Sequence, residues 1–179
     1  MHRVSYKVAL GGIISSLCLI CMFLTGVFPV LYITLPMIAG VLMMIMSAEI
    51  TPSWAYLTFM ATGLLALFVT FDKEAALLYI LLFGHYPVTK QFIDRIKPFI
   101  LRLTVKLIIF NTCILTEFYL TAMVLGLTEF YDEICTKGKP YAAFLLILVN
   151  FVCLSYDYSL NGILAIYMKR IKPVLLSNR

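Results

Sequence analysis

Long apolar runs constrain this chain most, because they are too numerous for a single soluble core. Of its 179 residues, 63% are hydrophobic and 13% are charged, whereas soluble domains carry about 25% charged residues. A helix crosses a bilayer with about 20 apolar residues, and several runs of that kind follow one another here. The first run has no clear small-x-small cleavage site, so we interpret it as a span and not as a signal peptide. The sequence therefore predicts an all-α, polytopic integral membrane protein.

The breaks between the runs predict six transmembrane helices in a single domain over residues 1–179. Pro29 ends the first run, while Thr51 and Pro52 supply an N-cap and a first-turn proline for the third. The fourth run is short, because Gly84 and Pro87 interrupt it. The predicted helices cover residues 6–28, 31–48, 52–71, 74–86, 98–127 and 140–168.

The distribution of charge predicts how the helices are oriented. With the N-terminus inside, six crossings place 11 of the 14 Lys and Arg residues on the cytoplasmic side, as the positive-inside rule expects. The other three are Lys73, Lys137 and Lys139, which accompany acidic residues in the predicted outer loops. We therefore expect an N-in, C-in, multi-pass protein of the bacterial cell membrane. The net charge of +5 is explained by this orientation and requires no nucleic-acid partner.

The segment after the short fourth helix, VTKQFIDRIK over residues 88–97, alternates charged and apolar residues at helical spacing. This pattern predicts an amphipathic segment that lies on the cytoplasmic membrane surface. The segment LTEFYDEICTKGKPY, residues 127–141, is polar and rich in turn-forming residues, and it predicts an outer loop.

Asp157 interrupts the last apolar run, in the stretch NFVCLSYDYSLNG. At 3.6 residues per turn, Asn150, Asp157 and Asn161 fall at about 0°, 340° and 20° around the helix axis, so they form one polar stripe. A carboxylate near the bilayer centre costs at least ~2.5 kcal/mol, which makes Asp157 a functional candidate, together with Glu117 in the preceding helix. We expect the stripe to face the interior of the helix bundle.

Two explanations of this stripe remain open from the residues alone. In the structural one, Asp157 is protonated or is paired with Lys106 or a neighbouring hydroxyl, and the asparagines join helices. In the functional one, the stripe lines a polar pocket for a small solute. The predicted substrate-binding residues are then Asp157, Asn161, Asn150, Tyr158 and Glu117.

The first helix carries two small-xxx-small pairs, Gly11 with Ser15 and Gly12 with Ser16. Such a surface lets another helix approach closely. The approaching helix is either part of this chain or belongs to a separate subunit, and these four residues are the predicted partner-docking surface in the second case.

The sequence offers little for catalysis or metal binding. It contains no phosphate-binding loop, no G-x-S-x-G and no H-E-x-x-H motif, and His85 has no second histidine at ligand spacing. We therefore predict no metal, no cofactor and no enzymatic activity. An intramembrane enzyme acting on lipid, with Asp157 and Glu117 as acid and base, is least favoured because no nucleophile accompanies them.

A six-helix, N-in, C-in chain with a basic tip, a small-residue first helix and the ending LNGILAIYMKRIKPVL resembles the substrate-binding S component of energy-coupling factor (ECF) transporters. That resemblance implies capture of a vitamin or micronutrient in the outer half of the bundle, and docking to a membrane subunit that works with two ATPases. The family commonly docks through A-x-x-x-A, which Gly11, Gly12, Ser15 and Ser16 replace here. The stretch LLFGHYPVTKQFIDRIK is also similar to a group of small bacterial membrane proteins with six helices.

The sequence thus leads to two main hypotheses. The first is a substrate-capture subunit of a membrane transporter, whose energy comes from partner subunits. The alternative is a structural or assembly protein that binds partner membrane subunits and no small solute.

Overall fold

A computed structural model of the chain describes residues 2–126 and 129–173. It is 88% helix, and its described residues form no strand, which confirms the all-α prediction. A 3₁₀ turn covers Pro29–Leu31, and π-helical turns cover Tyr79–Phe83 and Tyr167–Ile171. The α-helices of the described residues are α1 (His2–Val27), α2 (Thr34–Glu49), α3 (Pro52–Val69), α4 (Lys73–Leu78), α5 (Tyr86–Ile93), α6 (Phe99–Met123), α7 (Glu129–Lys137) and α8 (Lys139–Ile166).

Four helical segments of the described chain are long and apolar enough to cross a membrane. They are Val4–Val27, Pro52–Val69, Phe99–Met123 and Lys139–Arg170. Helix α2 is apolar as well, but shorter. These lengths and compositions support the predicted membrane protein.

The chain divides into two compact units. The first contains the residues up to Phe92 together with the segment from Ser159 onward, and the second is Ile93–Tyr158.

In the first unit, α1, α2 and α3 run alternately up, down and up around one apolar core. Cys18 on α1 donates a hydrogen bond from Sγ to the Ala39 carbonyl on α2, over 3.5 Å. Thr62 on α3 donates to Ser15 Oγ on α1, over 3.1 Å. The core's small residues allow close helix approach, and its methionine, aromatic and aliphatic side chains fill the space between the helices. It contains Ile14, Cys18, Met22, Ala39, Met43, Met46, Ala55, Phe59, Ala66, Tyr79 and Val88.

The fourth predicted helix, residues 74–86, is part of a longer composite over residues 73–93. This α4–α5 composite consists of α4, a π-helical turn and α5. Asp72 starts it as an N-cap, accepting a hydrogen bond from the Ala75 backbone N–H over 3.1 Å. The amide of Gly84 donates to the Tyr79 carbonyl, five residues back, over 2.7 Å. The composite runs antiparallel to α3, because Tyr79 packs on Phe59, with ring centroids 5.9 Å apart, and Thr89 contacts Tyr56.

The surface position predicted for residues 88–97 is wrong for its first part. Val88 and Lys90 are buried, as is Tyr86 just before the segment, and Thr89 Oγ1 lies 2.6 Å from Tyr56 Oη on α3. At 100° per residue these positions lie on different sides of the helix, so the start of α5 is covered on more than one side in the first unit. A single sequence does not distinguish such packing from contact with a membrane surface.

At one end of the first unit, a residue near the start of α1 and a residue after α8 both lie at the connection between α2 and α3. Lys7 Nζ lies 5.7 Å from the centre of the Trp54 ring, and Lys172 Nζ lies 3.1 Å from Glu49 Oε1. The start of α1 and the segment after α8 therefore lie at the same end of this unit.

The second unit consists of α6, α7 and the first part of α8. The prediction of a loop over residues 127–141 is wrong for most of this segment, because Glu129–Lys137 forms helix α7. Residues 127 and 128 lie outside the described residues. Gly126 and Gly138 have φ values of 69° and 82°, a left-handed conformation that glycine adopts without strain. These two glycines separate α7 from its neighbours, so the turn signals in the sequence belong to the ends of a short helix.

Candidate functional site

Within the second unit, one lysine is held between two carboxylates. Lys106 Nζ on α6 lies 2.8 Å from Asp157 Oδ2 on α8 and 2.8 Å from Asp94 Oδ1. The Lys106 side chain is only 7% exposed and that of Asp157 is 12% exposed, whereas Asp94 is 33% exposed. We call these three residues the Lys106 cluster.

The surroundings of the cluster explain why these charges are paired. Lys106 and Asp157 both lie on helices that are long and apolar enough to cross a membrane. An unpaired charge inside a membrane is costly. The aliphatic stem of a lysine tolerates apolar surroundings while its charged end reaches a partner. Pairing of Asp157 with Lys106 is one of the alternatives left open by the sequence, and this structure contains it. The half-exposed Asp94 connects the cluster to water.

A second polar contact joins the same two helices. Asn111 Nδ2 on α6 donates to Asn150 Oδ1 on α8 over 3.1 Å, and Asn150 Nδ2 donates to Asn111 Oδ1 over 3.0 Å. Each amide also donates to a backbone carbonyl four residues back on its own helix, that of Leu107 or Leu146. The donors of both half-buried amides are therefore used.

The other predicted substrate-binding residues do not join this cluster. Asn161 is exposed, contrary to our expectation that the whole stripe faces inward, and Tyr158 is 81% exposed. Glu117 is half-buried and accepts a hydrogen bond from Thr121 Oγ1 on the next turn of α6, over 3.4 Å. The angular position on a helix identified Asp157 and Asn150, but it does not determine how far along the helix a neighbour covers the stripe.

The predicted partner-docking surface divides into two halves. Gly11 is buried, and a Cβ there would lie 3.3 Å from Thr58 Oγ1 and 3.4 Å from Met46 Cε. Ser15 accepts the hydrogen bond from Thr62 on α3. Gly12 is exposed, with no atom within 4 Å of a Cβ placed on it, and the exposed Ser16 bonds only to its own helix, through the Gly12 carbonyl. One half of the surface therefore packs inside this chain.

Sequence reasoning missed Asp94 and Asn111. Asp94 follows a polar, charged stretch, so nothing in the sequence distinguishes it from a solvated acid. Asn111 is a polar residue in the middle of an apolar run, and it would have been found by applying to amides the criterion that identified Asp157.

An exposed ion pair in α7 contrasts with the Lys106 cluster. Lys137 donates to Glu133 Oε1, which also accepts from Tyr141 Oη over 3.1 Å. The Lys137 contact, followed by that of Tyr141, lowers the pKa of Glu133, and Glu133 in turn raises the pKa of Lys137. Both groups are open to solvent, so this pair contributes little to stability.

The chemistry available to the Lys106 cluster is electrostatic. Among residues 2–126 and 129–173, no three His, Cys, Asp or Glu side chains lie close enough together to hold a metal ion. The cluster presents two carboxylates and one ammonium group. It can bind a charged or strongly polar group, or it can hold two helices together.

Comparison of the chain with protein-family models, curated proteins and solved structures finds no match. The fold and the site therefore define only a class of protein, namely a helical protein with apolar helices of membrane-spanning length and a buried ion-pair cluster.

Proposed function

We propose that the chain crosses the cell membrane six times, with both termini in the cytoplasm. The four long apolar helices account for four crossings, and α2 and the α4–α5 composite account for the other two. The composite follows α3 from the Asp72 end back to Tyr56. Like α2, it therefore returns to the end where α1 begins. At 1.5 Å per residue, residues 73–93 reach roughly 30 Å, which matches the hydrocarbon thickness. The contacts of Lys7 with Trp54 and of Lys172 with Glu49 at one end of the first unit support an even number of crossings.

This topology predicts which side of the membrane can label Cys135. The side chain is exposed on α7, and a membrane-impermeant maleimide added outside intact cells should label it. On a Cys135→Ser background, Ser53→Cys at the exposed start of α3 should react only after the cells are opened. Labelling of Cys135 solely from the cytoplasmic side would contradict the orientation.

For the function, we propose that the protein captures a small solute, such as a vitamin or micronutrient, as a membrane subunit of a transporter. The supporting observation is the buried Lys106 cluster. Ionised groups inside apolar helices are costly and are usually kept for binding or transport. Because Lys106 contacts two carboxylates at 2.8 Å, a polar solute can replace one ion pair while Lys106 keeps the other. Asp94, which is 33% exposed, provides the connection to water.

A second candidate is a structural or assembly protein without a small ligand. It is favoured by one observation: Asp157 and Asn150, two of the three residues of the stripe, both bond to α6 side chains. Ion pairs and amide pairs of this kind are also the contacts that hold membrane helices together.

For the partner, we propose an ECF-type membrane subunit with its ATPases, in line with the resemblance of the sequence to S components. Support for a docking surface now rests on Gly12 and Ser16 alone, since Gly11 and Ser15 contact α2 and α3 of this chain. Gly12 lets a second helix approach its backbone closely.

The solute hypothesis predicts that Asp157→Asn removes most of the stabilisation that a ligand gives. A bound ligand at 100 times its Kd stabilises a protein by about 2.7 kcal/mol. Loss of a charged hydrogen bond, worth about 1.5–3 kcal/mol, lowers affinity roughly 10- to 100-fold. Melting curves of the purified protein with thiamine, riboflavin or biotin should therefore show a ligand-induced rise for the wild type that is largely lost in the variant.

A matched control is needed because Asp157→Asn also removes one carboxylate from Lys106 and lowers stability by itself. Gly84→Ala, a destabilising change in the first unit and outside the Lys106 cluster, should melt early and keep the full ligand-induced shift. If Asp157→Asn melts early and likewise keeps every ligand-induced shift, the cluster does not bind the solute and the assembly hypothesis is favoured.

A further inference from the structure

The start of α6 combines exposed apolar side chains with cations. Phe99 is 65% exposed and Ile100 is 79% exposed. Lys97 is exposed just before the helix, and Arg102 is half-buried in its first turns. We call these four residues the α6 entry surface.

The helix itself does not favour cations at this position. The N-terminus of an α-helix carries the positive end of the helix dipole, so nearby cations are unfavourable and anions are favourable. The first turn of α6 contains no acidic residue, and the Pro98 cap makes no side-chain hydrogen bond. The acid of the preceding segment, Asp94, is ion-paired with Lys106. Lys97 and Arg102 thus add to a positive potential that an external anion would relieve.

The arrangement of the side chains indicates what kind of anion fits. The guanidinium carbon of Arg102 lies 5.7 Å from the centre of the Phe99 ring, which keeps the cation beside an exposed aromatic ring. Aromatic and basic residues occur together at the headgroup level of membranes. A ligand that satisfies this surface has a negative headgroup next to an apolar body.

We propose that the α6 entry surface binds anionic phospholipids, with the headgroup phosphate at Lys97 and Arg102 and the acyl chains along Phe99 and Ile100. This interaction is independent of the proposed solute. Lipid binding would anchor the pair of helices α6 and α8 at one end. At this end Asp94 connects the Lys106 cluster to water.

The opposite end of the same helix pair supplies a control surface. Lys137 ends α7 and Lys139 begins α8, with only Gly138 between them. Lys137 is already paired with Glu133 and lies 4.4 Å from the centre of the Tyr141 ring. Removing these two charges lowers the net charge by the same amount as removing Lys97 and Arg102.

The experiment titrates purified protein in neutral detergent with dioleoylphosphatidylglycerol or dioleoylphosphatidylcholine and counts retained lipids by native mass spectrometry. Each basic residue at an anionic surface contributes about a fivefold gain in affinity. Lys97→Gln/Arg102→Gln should therefore lose roughly 25-fold in affinity for phosphatidylglycerol and none for phosphatidylcholine. Lys137→Gln/Lys139→Gln should bind both lipids as the wild type does.

A charge-preserving variant, Lys97→Arg/Arg102→Lys, should restore binding and separates charge from folding. High salt should weaken phosphatidylglycerol binding to the wild type, because the contact is electrostatic. Equal loss in the two glutamine variants, or equal affinity of the wild type for the two lipids, would overturn the proposal.

Discussion

Replacing Lys106 with methionine is expected to lower the free energy of unfolding by about 3–5 kcal/mol, the usual cost of removing one partner from a buried ion pair. Methionine keeps the length and apolar character of the lysine stem, so the change removes the charge with little loss of packing. Asp157, whose side chain is 12% exposed, then loses this cation while remaining among apolar helices. The loss of Lys106 costs less at Asp94, because this carboxylate is more exposed and is solvated by water.

The effect can be separated from packing by a double-mutant cycle measured by thermal unfolding in detergent. Lys106→Met/Asp157→Leu replaces both charges by apolar groups and should be much more stable than Lys106→Met alone. Lys137→Met, which breaks the exposed pair with Glu133, should show no measurable change. If Lys106→Met and Asp157→Leu have strictly additive effects, the two residues do not form a stabilising pair in the folded protein.

The membrane class was predictable because hydrophobic length is a property of the sequence itself. The runs that contain α1, α3, α6 and α8 are each long enough to be recognised without knowing any contact. Part of the polar stripe was also predictable, because helical spacing is a property of the sequence. Helical geometry places Asn150 and Asp157 on one side of α8, but only the position of α6 decides that these two residues have partners, and the same geometry applies to the exposed Asn161.

The segment from Lys73 to Ile93 shows where a single sequence fails. Gly84 and Pro87 correctly indicate a break, and the predicted helix ended at residue 86. The chain instead continues as α5, because burial of Tyr86 and Val88 in the first unit outweighs the local preference for a turn. Propensity and periodicity describe neighbours within about two turns, whereas this outcome depends on α3, about 30 residues earlier in the chain.

The break in the fourth helix is also where one methyl group should have a large effect. A Cβ added at Gly84 would lie 2.6 Å from Phe59 Cε2 and 2.8 Å from the Tyr79 carbonyl oxygen. The first contact is with a ring packed between Tyr79 and His85, and the second is with backbone. Neither atom can move without disturbing the π-helical turn or the packing of α3, so we expect Gly84→Ala to destabilise the protein by about 1–3 kcal/mol.

Gly162→Ala is the matched control, since a Cβ at Gly162 on α8 meets no atom within 4 Å. Alanine is favoured over glycine inside a helix by up to about 1 kcal/mol, so this variant should melt at the wild-type temperature or slightly above it. Phe59→Leu should partly rescue Gly84→Ala, because the smaller side chain relieves the ring contact while leaving the carbonyl contact in place. If Gly84→Ala melts with the wild type, α3 and the π-helical turn do not pack as closely as this structure requires, and the proposed crossing of the membrane by residues 73–93 alongside α3 loses its main support.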